Sequence, residues 1–412
     1  MAVTTSTVAE SCAAAKRAAR TLASAPTAVK DAALEATARL LAEREEEILA
    51  ANEGDLADER ASHLSEALRD RLTLTPARIA AMAEGVRAVV GLADPVGEEL
   101  EHRTLESGLD LRKVRVPLGV IAVVYEARPN VTIDAAALCL KSGNAIILRG
   151  SSSAAHSNAV LAAIAAGAAP AGAIQLLGGG REALAELATQ EGLVDLVIPR
   201  GGEGLKAALR DVATVPVIYA ASGNCHVYVD ATADLEQAVD IVVNAKTQRP
   251  GVCNAAETLL VDAAVADRFL AMVAPALADR GVQLRGDERA RAVVDMAAAT
   301  DEDWDTEFLS LVLAVGVVDG VDEAIDHVNR HGSGHSEAIL TRDTVAARAF
   351  QRGVDAACVY VNASTRFTDG GEFGMGAEIG NSTQKLHARG PIGLRELCTF
   401  KYLVEGDGHV RT

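Results

Sequence analysis

The stretch Arg112-Lys-Val-Arg-Val-Pro-Leu-Gly-Val-Ile-Ala-Val-Val124 marks the point where the hydrophobic pattern of the chain changes. Apolar and charged residues alternate in its first part, which predicts a half-exposed strand, and Pro117 predicts a turn. The second part is a continuous apolar run, as expected of a parallel strand that is buried on both faces. A strand of that kind needs helices on both sides, so the stretch predicts an α/β sheet.

Helices and strands alternate strictly after this stretch. We expect helices over 132–140, 153–167, 182–189 and 204–212, and strands over 145–148, 174–177 and 193–198. This order implies right-handed crossovers and a doubly wound sheet with a crevice of dinucleotide size. A second α/β series is expected from about residue 235 to beyond residue 361.

The two ends of the chain have different patterns. Residues 8 to about 92 place apolar residues three and four positions apart, which predicts helices with breaks at Pro26 and Gly54. Near the other end, Leu397-Cys-Thr-Phe-Lys-Tyr-Leu-Val404 is typical of a strand. We expect it to pair with the strand at 111–116 in an arm that adds to the sheet of a neighbouring subunit, because each strand would otherwise leave an unpaired edge.

Composition excludes several classes of protein. The 412 residues allow two or three domains, and 49% of them are hydrophobic, which is enough for sizeable cores. A net charge of −18 argues against a nucleic-acid surface. The six cysteines lack metal-ligand and C-x-x-C spacing, so we expect reduced thiols. No signal peptide or membrane-spanning run is apparent, and we expect a soluble cytoplasmic protein.

Cys253 lies in a polar, turn-forming segment, residues 246–257, directly before the apolar run Thr258-Leu-Leu-Val261. A thiol attacks as its thiolate, which nearby cations and backbone N–H groups stabilise. Lys246 and Arg249 supply the cations, and a glycine between them and the thiol opens the backbone. A buried structural cysteine is the alternative, since free cysteines are usually buried. The polar flanking residues favour a displayed nucleophile.

Two glycine clusters follow expected strands, Gly178-Gly-Gly180 and Pro199-Arg-Gly-Gly-Glu-Gly204. Their N–H groups can bind pyrophosphate, and Arg200 suits a phosphate, but neither cluster has GxGxxG spacing and plain turns are the alternative. The loop from His327 to Glu337 holds three histidines. Their spacing does not match a zinc site, so we expect no metal and favour substrate contact or loop structure.

Four segments carry a family resemblance: Tyr125-Glu-Ala-Arg-Pro-Asn130, Gln248-Arg-Pro-Gly-Val-Cys253-Asn, the loop 327–339, and Val359-Tyr-Val-Asn-Ala-Ser-Thr-Arg366. Together they resemble the gamma-glutamyl phosphate reductases, also called glutamate-5-semialdehyde dehydrogenases, of the aldehyde dehydrogenase superfamily. The resemblance covers essentially the whole chain, and Val328 departs from it where Ile or Leu is expected. It implies an aldehyde-dehydrogenase-like α/β fold with a doubly wound Rossmann-type cofactor domain, an α/β catalytic domain and a small β oligomerisation arm.

The same resemblance implies domain boundaries. The cofactor domain, with the N-terminal helices, is expected over 1–110 and 118–232, and the catalytic domain over 233–366. The oligomerisation arm is expected over 111–117 and 391–412, and 367–390 is expected to return to the cofactor domain. The arm implies a homodimer or a homotetramer.

The resemblance also assigns roles to single residues. Cys253 is the nucleophile, and the side-chain amide of Asn130, with the Cys253 backbone N–H, stabilises the oxyanion. Glu307 matches the glutamate at the nicotinamide ribose, and Arg149 matches the basic residue at the adenosine ribose. Ser151, in the segment after Arg149, is a further cofactor candidate, and the glycine cluster at 199–204 adds Arg200, Gly201 and Gly202. Lys246 and Arg249 are candidates for phosphate contact or thiol activation, with surface solvation as the alternative, and His335, Ser336 and Arg366 are candidates for the amino-acid end of the substrate.

Two departures from hydrolytic aldehyde dehydrogenases refine the expectation. The run Ile218-Tyr-Ala-Ala-Ser-Gly-Asn224 has no carboxylate where those enzymes carry the glutamate that activates water. A thioester would therefore not be hydrolysed and could react with phosphate instead. Ser151-Ser-Ser153 stands where NAD-preferring relatives carry a glutamate for the ribose 2′-hydroxyl. Together with Arg149, this predicts NADPH as cofactor.

The implied reaction is NADPH-dependent reduction of L-glutamyl 5-phosphate to L-glutamate 5-semialdehyde and phosphate, through a thioester on Cys253. It is the second step of proline biosynthesis from glutamate. A coenzyme-A-acylating aldehyde dehydrogenase and a non-catalytic scaffold of the same fold are the alternatives. Docking of the upstream glutamate 5-kinase is left open.

Overall fold

The computed structural model describes residues 7–219 and 222–411, and of Ala67 and Glu203 it describes the backbone alone. The chain forms two compact units. Unit 1 comprises Met1–Tyr219, Gly374–Gly380 and Ile392–Thr412, and unit 2 comprises Ala220–Phe373 and Asn381–Pro391. Each unit holds its own parallel sheet.

Unit 1 opens with six helices: α1 (Val8–Leu22), α2 (Thr27–Glu43), α3 (Glu45–Ala57), α4 (Glu59–Ser62), α5 (Glu66–Leu72) and α6 (Pro76–Val90). Ser65 and Thr75 start their helices by accepting a hydrogen bond from a first-turn N–H. The expected break at Pro26 is confirmed, since this residue precedes α2. The expected break at Gly54 is wrong because α3 continues through it, and one glycine costs a helix only about 1 kcal/mol. No helix in the described ranges has the length and apolar composition that a membrane crossing needs.

The rest of unit 1 is mainly an alternating α/β series. After β1 (Glu99–Thr104) and β2 (Asp110–Pro117) come β3 (Val120–Tyr125), α7 (Asn130–Lys141), β4 (Ala145–Gly150), α8 (Ala155–Ala168), β5 (Ile174–Leu176), α9 (Arg181–Ala188), β6 (Leu196–Arg200) and α10 (Glu203–Arg210). The parallel sheet has the order β5-β4-β3-β6, and β3 is buried throughout, as its apolar run predicts. The order reverses at β3, and ligands of open α/β sheets bind at such a switch point, outside the carboxyl ends of the strands.

Unit 2 is built on a seven-stranded sheet in which all neighbouring strands are parallel. Its elements are β7 (Cys225–Val229), α11 (Leu235–Thr247), β8 (Ala256–Asp262), α12 (Ala266–Ala278), β9 (Gln283–Gly286), α13 (Glu288–Val293), β10 (Ala297–Ala298), β11 (Val312–Val318), α14 (Val321–His331), β12 (Ser336–Leu340), α15 (Thr344–Gly353) and β13 (Cys358–Val361), followed by the short pair β14 (Asn381–Ser382) and β15 (Gly390–Pro391). The sheet order is β10-β9-β11-β8-β7-β12-β13. Helices α11, α12 and α13 cover one apolar face, and α14 and α15 cover the other.

The units divide the chain differently from the expected domains. The boundary expected after residue 232 is replaced by a division after Tyr219, because β7 pairs with β8 and β12 of unit 2. The segment 367–390 was expected to return to the cofactor domain as a whole. Only Gly374–Gly380 belongs to unit 1, since β14 pairs with β15 and keeps 381–391 in unit 2.

The last strand, β16 (Cys398–Glu405), completes a separate antiparallel sheet with the order β1-β2-β16. It pairs with β2 along its whole length, from Cys398 opposite Pro117 to Glu405 opposite Asp110. The expected pairing of these two strands is confirmed. Their addition to the sheet of a neighbouring subunit stays a prediction.

Candidate active site

Cys253 lies on the loop between α11 and β8, and its side chain is half-buried. Its backbone carbonyl accepts a hydrogen bond from the Cys225 thiol, with Sγ 3.2 Å from the oxygen. The next residue, Asn254, donates its side-chain amide to the Thr368 carbonyl at 2.9 Å. The carbonyl of Asn254 accepts the Thr365 hydroxyl at 2.7 Å. Hydrogen bonds therefore fix the loop at the backbone of Cys253 and at the residue directly after it.

Gly223 packs against the backbone of Cys253. A Cβ at this position would lie 1.4 Å from the Cys253 carbonyl oxygen and 2.7 Å from its Cα, so a side chain does not fit. The N–H of Gly223 donates to the Glu307 carboxylate, with N 2.7 Å from Oε1. Gly223 thus brings two candidates, Cys253 and Glu307, to one place in unit 2. The sequence alone does not single out this glycine, because glycine in a loop is common.

Lys246 is not at the surface of the nucleophile loop. Its side chain is fully buried, and its ammonium forms an ion pair with the equally buried Glu257. Burial lowers the pKa of Lys246 and raises the pKa of Glu257 to about 7, each against the opposing charge of its partner. The ammonium of Lys246 faces Glu257 inside the protein. Contact of Lys246 with the substrate phosphate and solvation of Lys246 at the surface, two of the expectations, are therefore both wrong.

Two guanidinium groups remain beside the loop. Arg249 is exposed, and the half-buried Arg366 donates its Nε–H to the Gln248 side chain at 2.9 Å. Burial and the charge of Arg249 lower the pKa of Arg366, and interaction with Cys253 acts in the opposite direction. Arg366 is therefore close enough to both Arg249 and Cys253 to interact with their charges. A pair of cations beside a thiol suits an anionic acyl substrate.

His335 and Ser336 lie in a buried hydrogen-bonded chain. The Nδ1 atom of His335 is 2.7 Å from the Ser336 Oγ, which is 2.6 Å from the Thr368 Oγ1. Burial lowers the pKa of His335 to about 4, so the ring is neutral at neutral pH. Both side chains therefore support the Cys253 loop from within unit 2, since Thr368 also holds Asn254. The chain occupies Nδ1 of His335 and leaves its buried Nε2 without a partner among the described residues, so the expected contact with the amino-acid end of the substrate stays a prediction.

In unit 1, the cofactor candidates lie at the carboxyl ends of the central strands. Tyr125, the last residue of β3, pairs with Arg200, the last residue of β6. Just beyond, the Gly202 N–H donates to the Glu126 carboxylate, with N 2.9 Å from Oε2. A Cβ on Gly201 would lie 2.7 Å from the Glu126 Cδ, so a side chain there would displace the Glu126 carboxylate. The glycine loop therefore already binds a carboxylate through its backbone.

Arg149 is the next-to-last residue of β4, and Ser151 follows the strand at the same edge. The Nη2 atom of Arg149 donates to the carbonyls of Gly179 at 3.1 Å and Gly180 at 2.6 Å. Its Nε is buried and has no hydrogen-bond partner among the described residues. The Ser151 hydroxyl lies 2.6 Å from that of Ser153. Arg149 thus joins β4 to the first glycine cluster and keeps one buried donor for a ligand.

Asn130 is the first residue of α7 and donates its side-chain amide to Asp134 one turn later, with Nδ2 3.0 Å from Oδ2. Burial raises the pKa of Asp134 to about 6, although the bond from Asn130 opposes the shift. The bond orients the amide and leaves its second N–H for another acceptor. Side chains four residues apart on a helix are neighbours, so the contact between Asn130 and Asp134 could have been predicted from the sequence.

The sequence matches the profile of the aldehyde dehydrogenase family over residues 1–303 and 290–401. The chain belongs to the aldehyde dehydrogenase family. It is 58% identical over 389 residues to the gamma-glutamyl phosphate reductase of Thermobifida fusca, covering 93% of each chain. It is 56% identical to that of Moorella thermoacetica, covering 96% of this chain and 97% of the relative. The crystal structure of the Thermotoga maritima gamma-glutamyl phosphate reductase has a TM-score of 0.96 and 47% identity, covering 99% and 100% of the two chains.

As an aldehyde dehydrogenase, the chain is an oxidoreductase that uses a nicotinamide cofactor. The expected α/β fold of this family is confirmed. The residues at the carboxyl edge of the unit 1 sheet fit a dinucleotide. Gly202 offers a backbone donor that already holds an anionic group, and Arg149 has a buried N–H that is costly to leave unpaired.

Proposed function

We propose that the chain reduces L-glutamyl 5-phosphate to L-glutamate 5-semialdehyde and phosphate, with NADPH as cofactor, in proline biosynthesis from glutamate. The loop around Cys253 carries the proposal. The half-buried thiol of Cys253 interacts with the charge of the Arg366 guanidinium, which in turn interacts with Arg249. Gly223 packs on the Cys253 backbone, and the sequence run 218–224 to which it belongs has no carboxylate to activate water. Relatives named gamma-glutamyl phosphate reductase, at 51% to 58% identity, support the choice of substrate.

The chemistry follows from the thiol. The Cys253 thiolate attacks the acyl carbon, the bond from that carbon to the phosphate oxygen breaks, and a thioester and inorganic phosphate result. When bound, the nicotinamide supplies the hydride that reduces the thioester. The carbon–sulfur bond then breaks, and the thiolate is regenerated. Without a carboxylate to activate water in the 218–224 run, the thioester is kept for reduction in one direction and for phosphate in the other.

The remaining roles are assigned by charge and by donor chemistry. Arg366 and Arg249 bind the anionic groups of the substrate, because Arg366 interacts with Cys253 and Arg249 interacts with Arg366. Asn130 donates its amide to the oxyanion of the tetrahedral intermediate. Glu307 accepts from the nicotinamide ribose.

Cofactor preference depends on the residues at the end of β4 and directly after it. The segment Ser151-Ser-Ser153 places hydroxyls where a carboxylate would repel a 2′-phosphate, and the guanidinium of Arg149 attracts it. Arg200, Gly201 and Gly202 bind the phosphates of the cofactor. NADPH is therefore preferred over NADH.

The proposal gives each part of the chain a task. Unit 1 binds the cofactor, unit 2 supplies the nucleophile, and the β1-β2-β16 sheet serves as the oligomerisation arm of a homodimer or homotetramer. Phe400, Tyr402 and Val404 support the arm, because 45% to 52% of each side chain is exposed on one strand. Apolar exposure of this kind marks an interaction surface.

The test runs the reaction in reverse. The purified protein is given L-glutamate 5-semialdehyde and NADP⁺ with phosphate, with coenzyme A, or with neither. NADPH should form with phosphate, or with arsenate in its place, and not with coenzyme A alone. Cys253→Ala should abolish it, whereas Cys358→Ala, at the other half-buried cysteine, should not. Dependence on coenzyme A, or steady NADPH formation without either acceptor, would contradict the proposal.

A further inference from the structure

A buried ion pair joins the nucleophile loop to the segment that carries Glu307. Lys246, near the end of α11, and Glu257, near the start of β8, are both fully buried, and the ammonium bonds Oε2 of the carboxylate. The other carboxylate oxygen, Oε1, accepts the backbone N–H of Leu309 at 3.1 Å. One carboxylate therefore holds a turn two residues after Glu307.

The backbone of Leu309 is in a conformation that needs support. Its φ is +52°, in the left-handed region that residues with a side chain rarely adopt. Packing of the side chain does not supply the support, because 47% of it is exposed. The hydrogen bond to Glu257 is the polar contact that the structure shows at the backbone N–H of this turn. A residue in a strained conformation persists only when its surroundings hold it there.

The turn determines where the Glu307 carboxylate points. Glu307 accepts the Gly223 N–H at 2.7 Å, and Gly223 packs on the Cys253 backbone. If Leu309 relaxed to a negative φ, the chain direction would change two residues after Glu307, and the carboxylate would move away from this place.

We propose that Glu257, with its charge balanced by Lys246, is a positioning residue that holds the Leu309 turn and so aims Glu307 at the nicotinamide ribose. The inference rests on the role proposed above for Glu307. It also gives Lys246 a task other than phosphate contact, since the ammonium allows a carboxylate to be buried under the turn.

A merely structural ion pair would behave differently. Desolvation offsets the attraction within a buried pair, so apolar residues of similar size often replace one without loss of stability. Apolar residues cannot accept the Leu309 N–H. Two double variants therefore separate the roles: Lys246→Met with Glu257→Leu removes the acceptor, and Lys246→Met with Glu257→Gln keeps a neutral acceptor in the same place.

Cofactor kinetics are the main readout, in the phosphate-dependent oxidation of L-glutamate 5-semialdehyde. We expect the leucine double variant at Glu257 to raise the KM for NADP⁺ at least tenfold, and the glutamine double variant to raise it less than threefold. Adding Leu309→Gly to the leucine double variant should lower its KM for NADP⁺ at least threefold, because glycine adopts a positive φ without support. The rate of Cys253 alkylation by iodoacetamide should stay within twofold of the parent.

Two controls separate positioning from loss of folding. Lys30 and Asp94 form another buried ion pair, in unit 1, and Lys30→Met with Asp94→Leu should change the thermal midpoint without changing the KM for NADP⁺. Trp304, the single tryptophan of the chain, lies three residues before Glu307. Its fluorescence should shift in the leucine variant at Glu257 and return with Leu309→Gly.

An unchanged KM for NADP⁺ in the leucine double variant at Glu257 would overturn the inference. A raised KM that Leu309→Gly does not lower again would also overturn it. If the leucine double variant does not melt cooperatively, the glutamine double variant serves as the test. A tenfold higher KM for NADP⁺ in the glutamine double variant would also overturn the inference. A parent protein without phosphate-dependent activity would instead contradict the proposed function. The fluorescence of Trp304 would then still test whether Glu257 holds the turn.

Discussion

Gly223→Ala places a methyl group where the structure has no space for one. The new Cβ would lie 1.4 Å from the Cys253 carbonyl oxygen. Since optimal contacts between heavy atoms are about 3.5 Å, the two backbones must separate by roughly 2 Å. A misplacement of about 1 Å in a reacting group can cost roughly 10²-fold in rate, so we expect kcat/KM to fall by about 10³-fold.

The assay is NADPH formation from L-glutamate 5-semialdehyde, NADP⁺ and phosphate, with Cys253 alkylation measured in parallel. Gly85→Ala is the matched control, because a Cβ at this position, inside α6, meets nothing within 4 Å. Alanine is favoured over glycine in a helix by about 0.5–1 kcal/mol, so this control should keep full activity and melt no earlier than the parent. More than a tenth of parent activity in Gly223→Ala would refute the reasoning.

Other predictions concern single side chains. Cys253→Ala should abolish turnover and leave NADPH binding, measured by titration, within a few-fold of the parent. Asn130→Ala should lower kcat by about 10²–10³-fold in steady-state assays, with a smaller change in KM. Because the pKa of Asp134 is raised to about 6, we expect kcat to fall as the pH drops through 6. The protonated carboxyl holds the Asn130 amide less firmly than the carboxylate does. Asp134→Asn should therefore remove this step from the pH profile of kcat. The same shift means that protonated Asp134 stabilises the folded state at low pH and that this stability is lost as pH rises through about 6, which thermal melts of the Asn variant would check. Arg149→Ala should narrow the preference for NADPH over NADH, and equal use of both by the parent would contradict the reading of Ser151 to Ser153.

Features that depend on local chemistry could be predicted from the sequence. The continuous apolar run at 120–124 reflects burial on both faces, and the structure buries all of β3. The loop position of Cys253 follows from the polar and turn-forming residues around it. The pairing of β2 with β16 follows from two strand-like segments outside the α/β series.

Features that depend on distant partners could not be predicted in this way. Lys246 is charged and flanked by polar residues, which favours exposure, but Glu257 on the next strand draws it into the interior. The apolar residues of β7 would suit either parallel sheet, so the domain boundary depends on pairing with β8 and β12. Gly223 is special only because the Cys253 backbone lies against it.

The open edge of β16 has a consequence for the solubility of a newly made chain. An unpaired strand edge with exposed apolar side chains is a template for aggregation. Lys401 lies between Phe400 and Tyr402 along the strand and points to the opposite face, and the Lys113 ammonium lies 3.7 Å from the centre of the Phe400 ring. These two charges act as gatekeepers, because a foreign strand that added here would have to strip their water. We therefore expect aggregation of unassembled subunits to be controlled at Lys113 and Lys401 more than by the stability of either core.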